Sequence, residues 1–331
     1  MTGLANRRVL VTGADGFIGS HLTERLLDEA AAVSAFCVYN SNGSYGWLDE
    51  LGAERLGAMN LQLGDIRDAR SVRRAVHDVD VVFHLAALVA IPYSYQAPES
   101  FVDTNITGTL NVLEAVRDTG DVRMVSTSTS EVYGTPESVP ITEAHPLCGQ
   151  SPYAASKIAA DQLCQAYARS FGVDVLTLRP FNTYGPRQSA RAVIPTILGQ
   201  LLSGATTVRL GSLDPRRDLT FVADTVDGFV RMATSDLAPG ALVQLGTGQS
   251  VSIGELFDLC RAVTGVDAVA VTDPERVRPA ASEVQLLLSE PSRAKEQLDW
   301  QAEWTLRDGL TATAAWLAPR VDAERAARYQ R

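Results

Sequence analysis

Short apolar runs rich in β-branched residues alternate with amphipathic stretches through the first half of the chain. Arg8 to Thr12 reads as a strand, Phe17 to Glu29 as a helix, and Val33 to Val38 as a second strand; a helix at Ser71 to Val76 then leads to a strand at Val79 to Leu85. The rhythm continues with a helix from Val102 to Asp118, a strand from Arg123 to Ser126, a helix from Pro152 to Phe171 and a strand from Asp174 to Arg179. Strands separated by helices of this length cross over rather than form hairpins, so the pattern predicts an α/β fold with a doubly wound parallel sheet.

After Pro180 the pattern gives way to segments punctuated by glycine, proline and arginine, such as Tyr184-Gly185-Pro186-Arg187 and Asp214-Pro215-Arg216-Arg217. Asp218 to Met232 and Ala241 to Leu245 then read again as strand and helix. The chain is therefore expected to interleave two lobes. Residues 1–178, with 218–248 returning to them, form the first, while 179–217 and 249–331 form a smaller α/β lobe. The last helix is predicted from Leu306 to Tyr329, with alanine mixed among charges as on a solvated outer face.

Composition narrows the function. The 331 residues, 46% hydrophobic and 21% charged, suffice for a large core, and the net charge of −10 speaks against nucleic acid or an anionic membrane as partner. An anionic ligand must then meet local positive charge. The four cysteines are scattered and fit reduced thiols in a cytoplasmic protein; only Cys148 stands near a motif. The N-terminal apolar run is broken by Gly13 and Asp15, and Val81 to Ile91 by His84, so neither a signal peptide nor a membrane span is expected. His21, His77 and His145 have no metal-ligand or triad spacing, and no metal is predicted.

Thr12-Gly13-Ala14-Asp15-Gly16-Phe17-Ile18-Gly19 follows the first strand and opens the first helix. Glycines there let the backbone turn tightly against a pyrophosphate, and the helix N-terminus offers free N–H groups with a partial positive charge. This is a dinucleotide site, and the fold is a Rossmann sheet.

The Gly-x-x-Gly-x-x-Gly spacing resembles that of the extended short-chain dehydrogenases, and the resemblance covers nearly the whole chain. It implies that Gly13, Asp15, Gly16, Phe17, Ile18 and Gly19 hold the cofactor, that Asp65 and Ile66 face adenine, and that Leu85, Ala86 and Ala87 lie beside the nicotinamide ribose. His84 itself reads as a strand-end residue with a local hydrogen bond. One position departs from the family. The second strand leads into Tyr39-Asn40-Ser41-Asn42 where an acidic residue usually takes the ribose, leaving Asn40 as its candidate partner. No Lys or Arg occurs between Arg25 and Arg55 to meet a 2′-phosphate, so the reading favours NAD over NADP.

Tyr153 and Lys157 stand four residues apart at the start of a predicted helix, on one face. A phenol acts as a base near neutral pH if its pKa falls by about three units, about 4 kcal/mol. A cation about 4 Å away at an effective dielectric of about 20 supplies that much, so Lys157 is expected to lower Tyr153. Ser128, Thr129, Ser130 and Glu131 lie where a strand ends, which is where such sheets place ligands.

By the same resemblance, Tyr153 and Lys157 are catalytic, Thr129 and Ser128 meet the sugar hydroxyl, and Ser130 and Glu131 take part in the chemistry. A carboxylate at Glu131 implies a second proton transfer, as in nucleotide-sugar 4,6-dehydratases. The Thr-Ser-Glu loop also resembles that of UDP-glucuronate decarboxylases, and it does not decide between the two. A C4 epimerase, a 5,6-dehydratase that stops after elimination, and a non-catalytic dinucleotide sensor complete the alternatives.

Four further strings look like the UDP-N-acetylglucosamine 4,6-dehydratases of legionaminic-acid-type pathways: Ser44-Tyr45-Gly46-Trp47-Leu48-Asp49, Ala90-Ile91-Pro92-Tyr93-Ser94-Tyr95, Gly149-Gln150-Ser151-Pro152-Tyr153, and Arg179 through Arg191. The resemblance implies that Asn182, Arg217 and Arg278 hold the diphosphate of a nucleotide sugar, with Tyr93 and Arg191 nearby. It also implies a homodimer formed through helices near Asn105 and Tyr153.

Overall fold

The computed structural model describes residues 3–322. Six strands in chain order are β1 (Arg8–Thr12), β2 (Ala32–Val38), β3 (Asn60–Gly64), β4 (Val81–His84), β5 (Arg123–Thr127) and β6 (Val175–Pro180). With the strand Leu242–Leu245 they form one seven-stranded sheet in the order Leu242–Leu245, β6, β5, β4, β1, β2, β3. Every pairing in it is parallel. The strand β3, which the apolar pattern had not marked, is an edge strand paired only with β2.

Strand order reverses at β1. Thr12 stands opposite Phe36 on one side and His84 on the other, so the crevice beyond the strand ends opens between β1 and β4. Alternate residues supply opposite faces. Val9, Val11, Phe83 and Val125 enter one hydrophobic core, and Leu10, Val82 and Met124 the other. Full burial of such side chains contributes up to about 1.5–3 kcal/mol each.

The helix Pro152–Phe171 matches its predicted bounds because both ends carry local signals. The Ser151 hydroxyl accepts from Ala154 N at 3.1 Å, and Gly172 closes the helix in the left-handed region at φ 68°. The helix expected from Val102 instead starts at Pro98, passes through a π-helical turn at Val102–Thr107 and continues as Gly108–Thr119. The final helix is Leu306–Leu317, followed by a short 3₁₀ turn at Ala318–Arg320. Pro319 has no N–H to continue the ladder, which shortens the expectation; residues 323–329 of that expected helix lie outside the described residues.

Beyond β6 the chain builds small sheets at the open end of the large one. Asn182–Tyr184 pairs with Leu219–Phe221, and Arg216–Arg217 lies between Val251–Ser252 and Leu286–Leu287. Thr207–Leu210 pairs with Val269–Thr272. No helix among the described residues is long and apolar enough to cross a membrane.

Candidate active site

The turn after β1 needs its glycines for space. Gly13 has φ +71°, and a Cβ there would stand 2.8 Å from Ala86 N; at Gly19 it would stand 2.0 Å from Gly13 O. Gly16 caps the helix Phe17–Asp28 without a side-chain bond, leaving its first N–H groups to an outside acceptor. Phe17 and Ile18 pack their side chains on the core, so what they offer a ligand is backbone. Burial pushes the Asp15 carboxyl above its usual range, opposed by backbone hydrogen bonds that include Val38 N.

Asp15 O also accepts from Trp47 N at 3.1 Å, and a Cβ at Gly46 would come within 2.6 Å of that same oxygen. The loop is held from outside as well. Trp47 meets Trp316 edge to face at 5.4 Å, the Arg320 guanidinium lies 4.5 Å over Trp316, and Arg320 pairs with Glu50 at 3.1 Å.

The ends of β1 and β4 are knitted together. Thr12 Oγ1 accepts from Leu85 N and Ala86 N at 3.2 and 3.3 Å and bonds His84 Nδ1 at 2.9 Å, while Thr109 bonds His84 Nε2 at 3.0 Å. Burial first, and the Lys157 charge second, lower the His84 pKa to about 3, so the ring is a neutral strut. Leu85, Ala86 and Ala87 remain half-buried at the crevice.

Asn40 does not stand ready for a ribose. Its amide nitrogen donates to Val38 O and Ser44 O at 3.2 and 2.7 Å, and its oxygen accepts from Asn42 N and Ser44 N, each at 3.1 Å. The side chain is a turn-former, because an Asx amide matches the spacing of the backbone two residues on. Asp65 pairs with Arg67 at 2.6 Å, and that hydrogen bond pulls its carboxyl below the usual range. Ile66 is wedged against Gly108 and accepts from Asn111 Nδ2 through its carbonyl.

Tyr153 and Lys157 are both buried on the helix Pro152–Phe171. Lys157 Nζ donates to Thr127 O at 2.6 Å. The expected fall of the Tyr153 pKa does not arise within the protein alone. Burial raises it well above the ordinary phenol range, Glu131 and Asp161 raise it further, and only the hydrogen bond to Thr129 opposes. Lys157 is itself lowered by burial and spends its short hydrogen bond on a carbonyl, so it does not offset the desolvation of the phenol.

Thr129 caps the 3₁₀ turn Ser130–Tyr133, its hydroxyl accepting from Glu131 N at 3.3 Å. That turn carries Ser130 and Glu131, both buried, to the side of Tyr153. Ser128 points the other way. Its hydroxyl donates to Asp161 Oδ2 at 2.6 Å and accepts from Arg179 Nε at 3.1 Å, and Arg179 Nη2 completes the triangle to Asp161 at 2.7 Å. The expectation that Ser128 meets the sugar is thus corrected: a buried ion pair claims its hydroxyl.

Asn105 was missed as a site residue. From the π-helical turn, its amide accepts from Leu88 N and donates to Leu88 O and Ser156 Oγ, tying the strand-end loop to the Tyr153 helix. π-turns mark functional sites, but no local pattern in sequence announces one.

On the substrate side, Arg217 and Arg278 converge. Arg217 Nη2 lies 3.0 Å from Glu283 Oε1 and Arg278 Nη1 lies 3.6 Å from the same oxygen. Asn182 Oδ1 is buried without a hydrogen-bond partner. Tyr93 packs on Phe101, which packs on Tyr153, at 6.0 and 6.2 Å between ring centroids. Arg191 is exposed, with its backbone N on Ser189 Oγ, so no contact joins it to this cluster. Arg187 turns to Glu24 at 3.0 Å. Arg216 bonds Ser250 O and pairs with Glu255.

A parallel sheet with a glycine turn at its switch point, a buried Tyr/Lys helix and a carboxylate-bearing turn define a nucleotide-sugar epimerase/dehydratase of the extended short-chain dehydrogenase type. Residues 10–313 match the family described as GDP-mannose 4,6 dehydratase, and the chain belongs to it. The chain is 34% identical over 312 residues to a UDP-glucose 4-epimerase of Mycolicibacterium smegmatis, covering 92% of this chain and 97% of that one. It is also 34% identical to a dTDP-glucose 4,6-dehydratase of Streptomyces griseus, covering 93% of each.

Among solved structures, a dTDP-glucose 4,6-dehydratase from Streptomyces venezuelae with NAD bound superposes with a TM-score of 0.84 at 31% identity, over 94% of this chain and 96% of that one. The UDP-glucose 4-epimerase of Thermotoga maritima with UDP-glucose gives 0.85 at 28%, over 95% of this chain and 100% of that one. Epimerases and dehydratases are thus similar to this chain in nearly equal measure.

Proposed function

We propose that this protein is an NAD-dependent nucleotide-sugar 4,6-dehydratase acting on an NDP-hexose, with UDP-N-acetylglucosamine or a related hexose as substrate. The observation that carries this reading is Glu131, a buried carboxylate on the turn that Thr129 caps, electrostatically close to the buried Tyr153 phenol. Residues 1–178 and 218–248 are assigned to the cofactor, and 179–217 with 249–331 to the nucleotide sugar. A homodimer is assigned to the helices around Asn105 and Tyr153, where Val102 stays exposed.

The close backbone packing that Gly13 and Gly19 allow sets a tight turn against an uncapped helix start, whose free N–H groups suit a pyrophosphate, with Asp15, Gly16, Phe17 and Ile18 offering backbone. Asp65 and Ile66 would border adenine, and Leu85 to Ala87 with Tyr153 and Lys157 the nicotinamide ribose. When bound, NAD supplies a hydride acceptor restored within the cycle and a positive ring charge that favours the ionised phenol.

Tyr153, hydrogen-bonded by Thr129, takes the proton of the sugar 4-hydroxyl as that carbon becomes a ketone. The ketone acidifies the hydrogen on C5. Glu131 removes it and passes it to the departing C6 hydroxyl, which leaves as water. Uptake at C6 of the hydride lost from C4, with one proton delivered at C5 to balance the one Tyr153 took from the 4-hydroxyl, gives the 4-keto-6-deoxy sugar, one water lighter than the substrate. Ser130, buried next to Glu131 in the turn, offers a hydroxyl that can donate a hydrogen bond but does not titrate as a carboxyl does, so both transfers are assigned to Glu131. Asn182, Arg217 and Arg278 hold the diphosphate.

The test is Glu131→Gln offered a panel of nucleotide sugars. We expect the bound nicotinamide to become reduced while water loss slows by about 10²–10⁴-fold, read by absorbance and mass. Full dehydration by the variant removes Glu131 from its role. Loss of carbon dioxide from a uronate without dehydration of any hexose, or epimerisation without mass change, overturns the reaction.

A further inference from the structure

We propose that Trp316 and Arg320 are positioning residues for the dinucleotide: from the end of the helix Leu306–Leu317 and the turn after it, they press the loop that follows β2 onto the phosphate turn and so fix the N–H groups that receive the pyrophosphate. The inference rests on the reading of the ligand as a dinucleotide held at that turn.

The Asp15–Gly16 peptide is the unit being fixed. Asp15 O accepts from Trp47 N at 3.1 Å, while Gly16 N donates to Gly13 O at the same distance. A peptide unit is planar, so bonds to both its oxygen and its nitrogen leave it no rotation, and the direction in which the chain enters the helix Phe17–Asp28 is set. Phe17, Ile18 and Gly19 are the first three positions of that helix, where N–H groups find no acceptor within the helix itself. Their aim at a phosphate thus depends on where Trp47 stands.

Its own loop does not decide that place. Inside, Asn40 bonds both the carbonyl and the N–H of Ser44, and Asp49 accepts from Ser44 Oγ at 2.7 Å and from Tyr45 N at 3.2 Å. These bonds keep the shape of the loop without joining it to the sheet. Leu48, fully buried, seats its floor in the core. Its outer side is held by Trp316, edge to face with Trp47 at 5.4 Å, and by Arg320, which lies over the Trp316 ring at 4.5 Å and pairs with Glu50 at 3.1 Å.

The far end of the same helix is anchored. A Cβ at Gly309 would stand 2.1 Å from the Tyr184 hydroxyl, and that hydroxyl donates to Leu306 O at 3.2 Å. Tyr184 closes the short strand that Asn182 opens. A twelve-residue helix spans about 18 Å, so one rigid element reaches from the substrate lobe to the loop over the phosphate turn. The sequence around β2 gives this support its importance. The strand ends in Val38-Tyr39-Asn40 with no carboxylate for a ribose, and Asn40 is taken up by its own loop, so the phosphate turn carries more of the grip. Holding that turn in its bound shape beforehand raises affinity, because less order is lost on binding.

NAD is titrated calorimetrically into the unaltered protein, freed of carried-over nucleotide, and into its Trp316→Ala, Trp316→Phe and Arg320→Ala variants, each with its urea midpoint recorded. Trp316→Ala is expected to bind NAD about tenfold more weakly, the upper range for loss of one edge-to-face pair. Trp316→Phe, which keeps a ring edge against Trp47, is expected to stay within about threefold of the parent, and Arg320→Ala to lose less than about threefold, as an exposed ion pair does. A purely structural role would lower the urea midpoint and leave the Kd of the folded protein unchanged. Parental NAD affinity in Trp316→Ala, or no recovery in Trp316→Phe, overturns the proposal and leaves the phosphate turn as the cofactor site. Failure of the unaltered protein to bind NAD overturns the reading of the turn itself.

Discussion

Arg179 Nη2 lies 2.7 Å from Asp161 Oδ2, and the two side chains are sealed beneath the catalytic turn at 2% and 3% exposure. Through Ser128 the pair joins β6, the Tyr153 helix and the loop bearing Thr129 and Glu131. The ring of Tyr133 covers the guanidinium at 4.7 Å. Removing one member strands the other charge in the core, at a cost of about 3–5 kcal/mol.

Asp161→Ala is accordingly expected to lose about 3–5 kcal/mol of unfolding free energy in urea. Replacing both members, with Asp161→Leu and Arg179→Met, should recover most of that loss, since no charge then stays unpaired. A single variant as stable as the parent would show that the pair contributes nothing.

His84 gives the fold an acid limb. Its folded pKa is about 3 against an ordinary 6.5, so below pH 6.5 the unfolded chain gains a proton that the folded protein refuses. Stability contributed by the neutral ring is present above about pH 6.5 and is lost as the pH falls toward about 3. His84→Gln should flatten this limb, measured as the urea midpoint between pH 7 and pH 4. Identical slopes in parent and variant would assign the acid limb to other groups.

Gly19→Ala tests the cofactor turn. A Cβ 2.0 Å from Gly13 O forces the first helix away from the turn. The variant should lose the thermal stabilisation that added NAD gives the parent, amounting at a hundredfold excess over Kd to about 2.7 kcal/mol. An unchanged shift would mean that the dinucleotide lies elsewhere.

The parts legible in sequence were those set by local rules. Alternation placed β1, β2, β4, β5 and β6, glycine chemistry placed the turn, and Ser151 with Gly172 bounded the Tyr153 helix. What escaped depends on partners far along the chain. Ser128 turns inward because Asp161 and Arg179 await it, and the Tyr153 phenol is pushed up within the protein alone because burial, Glu131 and Asp161 outweigh the Thr129 hydrogen bond. Asn40 was read by its family position, whereas its own loop fully occupies its amide. The two- and three-residue strands around Asn182 and Arg217 are too short for any period to register, and Glu283 carried no mark at all.

The contact between Trp47 and Trp316 bears on how the molecule is made. Glu50 waits for Arg320, a partner 270 residues downstream in the turn Ala318–Arg320, and Trp47 for an outer wall from the helix just before it. During synthesis the phosphate turn emerges early, yet the loop that frames it stays one-sided until Trp316 and Arg320 have left the ribosome. Contacts of so long a span are among the last that folding can afford to close.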